Sequence, residues 1–427
     1  MRAQRVRIGS GAGFAGDRFE PAETLVREAG LDDLVLECLA ERTIALGQQR
    51  RLADPGTGYD PLLVARFGRL LPIAAEHGVR VLSNMGAANP LAAGKVTAGL
   101  GIARRVAVVT GDDVFSRLDP ASPAMEDGRP LREHGELVSA NAYLGADAIM
   151  PALATGADVV LTGRVADPSL FLAALADRHG WDLTEPGIAA AGTLVGHLLE
   201  CAGQITGGYF ADPGSKDVPG LENLGFPFAD VEADGAAVIG KPGGTGGVVS
   251  RATVREQLLY EITDPTGYVT PDVVLDLREV LVDEIGPDRV AVSGAVGRPR
   301  PDRLKVSVGY RAGFRAEAEI SYMGPNSPRR ARLAGEIVTT RLGGSDVRLR
   351  VDVLSTEDGG ESRLRVASLA PDQGLAERVC HEVESLYTNG PAGGGGVRTR
   401  TSEVIGIVST LADREIAEPA VTVFEGQ

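Results

Sequence analysis

Val6-Arg-Ile8, a short strand pattern, runs directly into Gly9-Ser-Gly-Ala-Gly-Phe-Ala-Gly16 and then into Asp17-Arg18. Four more apolar runs in the first 165 residues end in the same manner, in small clusters of glycine and polar side chains: Leu34–Leu36, Val79–Leu82, Val106–Val109 and Val159–Leu161. Ligands of open α/β sheets bind beyond the carboxyl ends of parallel strands. The five strand ends therefore predict a parallel sheet and a ligand site at one of its edges.

The spacing between these runs predicts helices that alternate with the strands. Helical patterns are expected at Pro21–Ala29, Thr43–Arg51, Pro61–His77, Pro90–Arg104, Ala140–Thr155, Ser169–Arg178 and Ile188–Gln204. Asp60-Pro61 and Asp167-Pro168 place a capping carboxylate before a proline at the first helical position. Strands that alternate with helices form crossovers in a parallel sheet. Residues 1–205 are therefore predicted to form an α/β domain with a Rossmann-like parallel sheet that carries the site.

The pattern changes after residue 205, where residues 206–225 are rich in glycine, proline and aspartate. Three strand patterns then follow one another without a helix between them: Val290–Ala295, Leu304–Arg311 and Phe314–Tyr322. Such a succession predicts a second, α+β domain at residues 206–427. This domain contains two glycine-rich loops, at residues 240–247 and 389–396.

Residues 115–135 interrupt the alternation just after the fourth strand with proline, aspartate and charged side chains. A long loop in that place is either a lid over the site or a surface insertion without fixed structure. The sequence leaves both interpretations open.

Composition narrows the possible partners. Of the 427 residues, 43% are hydrophobic and 24% are charged, as in ordinary soluble globular proteins. The formal net charge of −15 and a pI near 4.9 argue against a nucleic-acid partner, which requires a basic surface. No stretch reaches the about 18 apolar residues of a membrane span, and the first residues lack the apolar segment of a secretion signal. We therefore expect a cytoplasmic homo-oligomer with no membrane or nucleic-acid partner.

The glycine-rich loop after the first strand has two interpretations. The pattern Gly9-x-Gly11-x-Gly13-x-x-Gly16 lies between a strand and a helix, which is the context of a dinucleotide-binding motif. In that interpretation Glu37 is the acid that binds the ribose. The Asp17-Arg18 pair interrupts the entry into the helix and favours a substrate loop instead, in which backbone N–H groups at Gly11 and Gly13 meet a carbonyl or carboxylate group. No required cofactor is predicted.

Two carboxyl groups near the strand ends are candidates for proton transfer. Glu37 ends the second strand beside Cys38, and burial there raises the pKa of a carboxyl group toward the range of a general acid or base. Asp112 follows Gly111 in an Asp-Asp pair. Paired carboxylates suit a divalent ion or cap a turn equally well, and no metal site is predicted.

Arg164 emerges at the end of the fifth strand in Thr162-Gly163-Arg164. It either clamps a carboxylate or phosphate of the substrate or forms a structural pair with Asp167. Asn84, which follows the third strand, is predicted to hold a carbonyl group. The set of predicted substrate-binding residues also includes Gly86, Asn141 and Asp167.

His197 is the histidine most suited to a functional role, because it lies in a sparsely charged helical pattern. Glu200 follows at i+3 and therefore lies on the same helix face, but His-x-x-Glu by itself is a weak metal signal. His197 either assists catalysis or is a core histidine with satisfied hydrogen bonds. In the loop at residues 240–247, Lys241 either meets an anion such as a phosphate of coenzyme A or belongs to a tight turn.

Many segments resemble the acyclic terpene utilisation family, AtuA, in order along nearly the whole chain. They include Leu36-Glu-Cys-Leu-Ala-Glu-Arg-Thr43, Ser83-Asn-Met-Gly-Ala-Ala-Asn-Pro90, Leu161-Thr-Gly-Arg-Val-Ala-Asp-Pro-Ser-Leu170 and Lys241-Pro-Gly-Gly-Thr-Gly-Gly247. The resemblance implies bacterial breakdown of isoprenoids through acyl-CoA intermediates, with no catalytic residue to transfer. Longer relatives carry a further C-terminal domain with a Ser-Gly-Asp-Lys-Gly segment, so the chain is expected to resemble their large N-terminal domain alone.

Three hypotheses about function follow. The first is an enzyme of acyclic terpenoid or branched acyl or acyl-CoA metabolism that uses acid/base lyase, hydratase or hydrolase chemistry. In it Glu37 or Asp112 moves the proton, His197 assists, Arg164 holds the substrate, and loop N–H groups stabilise an oxyanion. The second is a non-catalytic binding or scaffold subunit for a partner enzyme, and the third is a nucleotide-dependent enzyme.

Overall fold

The computed structural model describes residues 5–356 and 360–426. Within these ranges the α-helices are α1 (Glu20–Ala29), α2 (Glu41–Ala53), α3 (Leu63–His77), α4 (Pro90–Ala98), α5 (Ala146–Leu153), α6 (Asp167–His179), α7 (Pro186–Leu199), α8 (Arg251–Leu259), α9 (Ser327–Leu342), α10 (Gln373–Glu384) and α11 (Leu386–Asn389). Proline occupies the first turn of α1, α4 and α6, as predicted. The two predicted capping carboxylates are wrong: α3 begins at Leu63, beyond Asp60-Pro61, and the N-cap of α6 is Ala166, so Asp167 lies inside the helix.

The strands of the same residues divide among three sheets. They are β1 (Arg5–Ala12), β2 (Asp33–Leu36), β3 (Arg80–Ser83), β4 (Arg105–Thr110), β5 (Leu137–Ala142), β6 (Val159–Leu161), β7 (Phe228–Glu232), β8 (Ala237–Gly240), β9 (Tyr268–Val269), β10 (Val274–Asp276), β11 (Leu281–Gly286), β12 (Arg289–Ser293), β13 (Val296–Arg298), β14 (Arg303–Met323), β15 (Arg348–Ser355), β16 (Glu361–Ala370), β17 (Gly394–Asp413) and β18 (Ala420–Glu425). The chain is therefore a mixed α/β protein.

The largest sheet has ten strands in the order β11-β12-β8-β7-β1-β2-β3-β6-β4-β18. Its centre, β1-β2-β3-β6-β4, is parallel, as the five apolar runs predict. Antiparallel strands extend it on both sides, through β7 next to β1 and β18 next to β4. The sheet is thus mixed, and its strand order differs from the 3-2-1-4-5-6 order of Rossmann folds.

The chain forms two compact units that do not follow the predicted division at residue 205. One unit comprises residues 1–129, 138–308 and 408–427, and the other comprises residues 130–137 and 309–407. Four strands that follow residue 205, β7, β8, β11 and β12, join the ten-stranded sheet, so this segment belongs to the same unit as most of the first 205 residues. The division into domains 1–205 and 206–427 stays a prediction.

Two segments of the chain are predicted wrongly. The pattern Ala140–Thr155, predicted as one helix, contains the end of β5, which pairs with β14, and only then α5. The two predicted strands Leu304–Arg311 and Phe314–Tyr322 are one strand, β14. In both cases a pairing partner distant in sequence overrides the local pattern.

Apolar side chains fill the first unit between the parallel strands and their helices. Leu25, Leu34, Phe67, Val81 and Val108 are among the buried residues of this core. The second unit has its own core between α9, α10 and the strands β14 and β16. Because the core surrounds the parallel strands, the polar side chains at their carboxyl ends are held on a rigid base.

Candidate functional site

The carboxyl ends of the parallel strands lead directly into the polar residues that the sequence analysis singled out. Gly13 follows β1, Glu37 follows β2, and Asn84 follows β3. Asp112 lies beyond the end of β4, and Arg164 lies beyond the end of β6. Because these strands are parallel neighbours, the residues gather at one edge of the sheet.

The guanidinium group of Arg164 is buried and held from several sides. Its Nε donates a hydrogen bond to the carbonyl oxygen of Val165 (2.8 Å), and its other nitrogens bind the carbonyl oxygen of Leu39 and the carboxylate of Asp167. The ring of Tyr143 lies under the guanidinium group, 4.4 Å from its carbon. The structural pair between Arg164 and Asp167, left open by the sequence, is therefore present.

Glu37 is oriented by Asn84. Its Oε1 accepts hydrogen bonds from the side-chain amide of Asn84 (2.7 Å) and from the backbone N–H of Leu39 (2.9 Å). The amide oxygen of Asn84 in turn accepts from the N–H of Cys38 (2.7 Å), so Asn84 is occupied on both sides. Burial raises the pKa of Glu37 well above its usual range, and the negative charge of Asp167 adds to this effect while Arg164 opposes it.

Asp112 fixes the loop that contains Arg164 through hydrogen bonds. Its Oδ2 accepts hydrogen bonds from the backbone N–H of Arg164 (2.9 Å) and from the side-chain amide of Asn141 (2.9 Å). Burial raises the pKa of Asp112 to about 6. Neither Asp112 nor Asn141 lines either of the two cavities that are described below. In this structure both residues position Arg164.

Glu41, at the first turn of α2, is the centre of a second polar cluster. Its Oε1 accepts a hydrogen bond from the hydroxyl group of Tyr143 and lies 3.2 Å from Nζ of Lys305. Burial alone would raise the pKa of Glu41, but the hydrogen bond from Tyr143 and the charges of Arg164 and Lys305 lower it to about 2. Glu41 is therefore ionised at neutral pH.

His197 and Glu200 form a buried pair at the end of α7. Nδ1 of His197 lies 3.0 Å from Oε1 of Glu200, and Nε2 donates to the carbonyl oxygen of Leu258 at 3.1 Å. Burial lowers the pKa of His197, but the hydrogen bond and the charge of Glu200 raise it by more. Burial raises the pKa of Glu200 to about 7. Oε2 of Glu200 is buried without a hydrogen-bond partner in the part of the chain that the structure describes.

Two cavities open between these groups. The first, here the mixed cavity, has a volume of about 320 Å³, and side chains of both charges line it, among them Glu41, Asp167, His197, Glu200, Arg303 and Lys305. The second, here the acidic cavity, has a volume of about 580 Å³, and five carboxyl side chains line it: Asp17, Glu37, Glu41, Asp167 and Glu261. The cavities share lining residues, including Glu41 and Asp167, so they adjoin.

The predicted glycines serve close packing of the chain. A Cβ atom on Gly13 would lie 2.3 Å from the carbonyl carbon of Cys201, and one on Gly86 would lie 2.4 Å from the carbonyl oxygen of Thr162. The N–H of Gly13 donates to the carboxylate of Asp17 (2.8 Å), so it is already used. Of the predicted glycines, Gly13 lines the acidic cavity, whereas Gly11 and Gly86 line neither cavity.

Lys241 lines neither cavity. Its Nζ donates to the carbonyl oxygen of Thr245 (3.0 Å) and lies 3.2 Å from the carboxylate of Asp288. The side chain is buried, and the ion pair braces the glycine-rich loop. The tight-turn interpretation describes this arrangement better than an open phosphate site.

The segment that follows β4 approaches the mixed cavity through Met125, which contributes to its lining. The N–H of Met125 donates to the carbonyl oxygen of Ser409 (2.7 Å), and the carboxylate of Glu126 accepts from the N–H of Ser409 (2.8 Å). The segment is thus fixed by hydrogen bonds at this point. Its role as a lid stays a prediction.

Several side chains of the site were not selected from the sequence. Tyr143 lies two residues after Asn141, Tyr268 has its ring 5.2 Å from that of His197, and Lys305 approaches from β14. Glu200 was visible in the sequence only through its i+3 spacing from His197. No sequence signal marks Lys305 or Tyr268, because a pairing of distant segments brings them to the site.

Within residues 5–356 and 360–426, no group of three or more His, Cys, Asp or Glu side chains is arranged to hold a metal ion. In the same ranges, no helix combines the length and the apolar character needed to cross a membrane.

The fold and site define a mixed α/β protein with buried carboxyl and arginine groups at the carboxyl edge of a parallel sheet. The chain belongs to the acyclic terpene utilisation family, AtuA, whose model matches residues 6–423. The resemblance is therefore confirmed, and membership implies a role in acyclic terpene utilisation. No curated protein is significantly similar to the chain. A de novo designed protein, Foldit4, is 19% identical in sequence over an alignment that covers 21% of this chain and 94% of the designed chain, with a TM-score of 0.18.

Proposed function

We propose that this protein is an enzyme that acts on a small acyclic, branched compound by general acid–base catalysis, in lyase, hydratase or hydrolase chemistry. The observation that carries the proposal is Glu200. It is a buried carboxyl group that lines the mixed cavity, and its Oε2 has no hydrogen-bond partner among the described residues. A pKa of about 7 makes both protonation states of Glu200 available at neutral pH, as a general acid or base requires.

His197 acts in this proposal as a positioning residue. Its Nε2–H is committed to the carbonyl oxygen of Leu258, because a carbonyl group only accepts. Its Nδ1 therefore shares a proton with Oε1 of Glu200, which leaves Oε2 to exchange a proton with the substrate. The pair titrates as a unit, since each partner alters the pKa of the other.

Glu37 is the second candidate acid. Burial raises the pKa of Glu37 well above its usual range, and Glu37 lines the acidic cavity next to the Arg164–Asp167 pair. Glu41, whose pKa is lowered to about 2, lines the same cavity. Two titratable groups whose environments separate their pKa values are the usual arrangement of acid and base in an active site.

Membership of the AtuA family supports an acyclic, branched substrate. The catalytic roles predicted for Glu37, Arg164 and His197, an acyl or acyl-CoA form of the substrate, a cytoplasmic location and a homo-oligomeric state belong to the proposal. Asp112 is here a residue that holds the Arg164 loop, and Glu200 takes its place in proton transfer.

The substitution Glu200→Gln tests the proposal. We expect kcat to fall about 100-fold to 10,000-fold, because a glutamine of nearly the same shape cannot exchange the proton. The limb near pH 7 in the pH dependence of kcat should disappear with it. Substrates are found by incubating the protein with acyclic branched alcohols, acids and their CoA thioesters and following turnover by mass spectrometry.

The matched control is Glu382→Gln, at a buried glutamate that pairs with Arg341 and lines neither cavity. This variant should keep kcat and the limb near pH 7. Unchanged kcat in Glu200→Gln, with the variant folded by circular dichroism, would remove Glu200 from the reaction and overturn the proposal.

A further inference from the structure

The sheet of the second unit ends in a strand with one open side. Its strand order is β15-β16-β14-β17, so β15 is an edge strand in the described part of the chain. All eight residues of β15 pair with β16 without a register shift, and none of them is lysine or proline. Proteins often protect a sheet edge with such residues or with a bulge, because a regular edge is a template for another strand. The edge formed by β15 lacks these protections.

An edge of the ten-stranded sheet shows the contrast. The register of β11 shifts between Glu284 and Gly286, as in a β-bulge. Asp283 and Glu284 are both exposed on this strand, so it presents two adjacent carboxylates. A bulge and like charges disfavour the addition of a further strand. Neither feature is present in β15.

Hydrogen bonds to β16 fix which backbone groups of β15 point outward. One residue beyond β15, the N–H of Thr356 donates to the carbonyl oxygen of Glu361 (3.0 Å). Backbone groups of successive residues in an antiparallel pair point alternately toward the partner strand and away from it. The N–H and C=O groups of Leu349, Val351 and Val353 therefore point away from β16. No strand of the described chain lies on that side.

The side chains of β15 divide between two faces. Leu349, Val351 and Val353 pack against the core of the second unit, but they are only partly buried. Successive side chains of a strand lie on opposite faces, so Arg350 and Asp352 lie on the other face. The side chain of Arg350 is 74% exposed, and that of Asp352 is 25% exposed. The edge thus offers apolar groups on one face and an arginine with an aspartate on the other.

We infer that the outward side of β15 pairs antiparallel with β15 of a second copy of this chain, about a two-fold axis at Val351. In this register Arg350 lies opposite Asp352 of the second copy, and Leu349 lies opposite Val353. An axis at Arg350 or at Asp352 would instead place that residue opposite itself, and like charges directly opposite destabilise a sheet. The strand is therefore complementary to itself in this register, as an interface with two-fold symmetry requires.

The pairing satisfies backbone groups and brings the charges together. Val351 and its own copy form a hydrogen-bonded pair, and the adjacent pair of Arg350 with Asp352 is a non-hydrogen-bonded one. Side chains approach each other more closely in the latter kind of pair, so the opposite charges meet where contact is closest. Asp352 also lies 3.0 Å from Arg365 of its own chain, so its carboxylate joins the two copies in one charge network.

The inference specifies the homo-oligomeric state that belongs to the proposed function, and it rests on that part alone. Sedimentation velocity of the full chain over a dilution series measures the assembly. We expect a dimer that dissociates on dilution, because each copy presents one β15 edge and the symmetric pairing closes after two copies.

Charge reversal tests the register. Arg350→Asp and Asp352→Arg should each weaken the dimer about tenfold or more, because both symmetric pairs change from attraction to repulsion. An equimolar mixture of the two variants should form a heterodimer, because every position 350 then lies opposite an unlike charge at position 352. Arg255→Asp, at an exposed arginine of α8 in the other unit, is the control and should leave the dimer unchanged. Circular dichroism checks that the variants are folded.

Cross-linking tests the axis without changing a charge. In Val351→Cys the two Cα atoms are expected about 5.5 Å apart, within the range of a disulfide. In Val353→Cys they are expected about 14 Å apart, because four residues separate them along the strand. Mild oxidation should therefore link Val351→Cys and leave Val353→Cys unlinked. The original chain, with its three cysteines, gives the background of the reaction.

Three results would overturn the inference: a monomer at every concentration, dimers of folded Arg350→Asp and Asp352→Arg as stable as that of Arg255→Asp, or equal cross-linking of Val351→Cys and Val353→Cys. None of these results depends on turnover. If the chain is monomeric while Glu200→Gln abolishes turnover, the interface is wrong and the catalytic proposal stands. If Val351→Cys is linked selectively while Glu200→Gln retains full turnover, the reverse holds.

Discussion

Asp112 illustrates how burial decides the role of a single carboxyl group. From the sequence it is a candidate acid, metal ligand or turn cap, because its side chain alone carries no information about its surroundings. In the structure it accepts hydrogen bonds from Arg164 and Asn141 and is 3% exposed. The carboxyl group of Glu41 has Tyr143 and Lys305 as partners, and there the partners outweigh burial. Glu200 differs from both, because its Oε2 is buried without a hydrogen-bond partner among the described residues.

The substitution Asp112→Asn tests the effect of this burial on stability. The folded state holds the proton of Asp112 up to about pH 6, whereas the unfolded chain releases it near pH 3.8. Its contribution to stability is therefore fully present below about pH 4 and is lost as the pH rises through about 6. Asparagine has no proton to lose, so the stability of Asp112→Asn relative to the original chain should improve by about 3 kcal/mol between pH 4 and pH 7.

Urea unfolding at a series of pH values measures this difference. The exposed Asp119→Asn serves as the control, because Asp119 only caps a turn at the N–H of Ala121 (2.9 Å), a bond that asparagine also makes. Its difference from the original chain should not vary with pH. A difference for Asp112→Asn that is also constant with pH would contradict the raised pKa of Asp112.

At the scale of elements, the sequence predicts secondary structure best where the residues of a single strand or helix determine its conformation. The five parallel strands are short apolar runs, and their ends are predicted within a few residues because glycine and polar residues stop each run. The pattern at Ala140–Ala142 predicts a helix, because alanine favours helices locally. In the structure these residues belong to β5, since β14 offers hydrogen bonds that the local pattern cannot show. The predicted strands Leu304–Arg311 and Phe314–Tyr322 are likewise joined in β14, where pairing with other strands continues across the predicted break.

The loops after β3 and β6 approach each other so closely that a side chain has no room at Gly86. A Cβ atom there would lie 2.4 Å from the carbonyl oxygen of Thr162, which is backbone and cannot rotate away. We expect Gly86→Ala to lower the free energy of unfolding by about 1 to 3 kcal/mol, as overpacking usually does. The midpoint and slope of urea unfolding measure the change.

Gly68→Ala is the matched control within the same unit. Gly68 lies in the interior of α3, and a Cβ atom there meets nothing within 4 Å. Alanine should therefore raise the free energy of unfolding by about 0.5 to 1 kcal/mol. If both substitutions changed stability equally, the close approach at Gly86 would not be real.

At the scale of the whole molecule, the negative charge is the dominant property. The formal net charge is −15, and the acidic cavity concentrates part of it on one wall. Self-repulsion of like charges destabilises a compact state, and salt screens it. Family membership and net charge both concern the molecule as a whole, and the sequence predicts both directly.

Salt should therefore stabilise the protein. We expect Tm to rise when NaCl is increased from about 0.05 to about 0.5 M at pH 7.5, where the screening length falls from about 14 Å to about 4 Å. Scanning calorimetry measures the shift. The same series at the pI near 4.9 is the control, because the net charge there is close to zero and the rise should vanish. A fall in Tm at pH 7.5 would show that attractive ion pairs outweigh the repulsion.

The sequence by itself determined the family, the parallel strands and the presence of polar residues at their carboxyl ends. These features are local, because an apolar run followed by glycine and a polar side chain can be recognised from neighbouring residues alone. Only the tertiary structure decided which of those residues line a cavity. Asp112 and Lys241 are tied into braces, whereas Glu200, Glu41 and Glu261 surround open space. The physical reason is that burial and partners set the state of a charged group, and both come from segments distant in sequence.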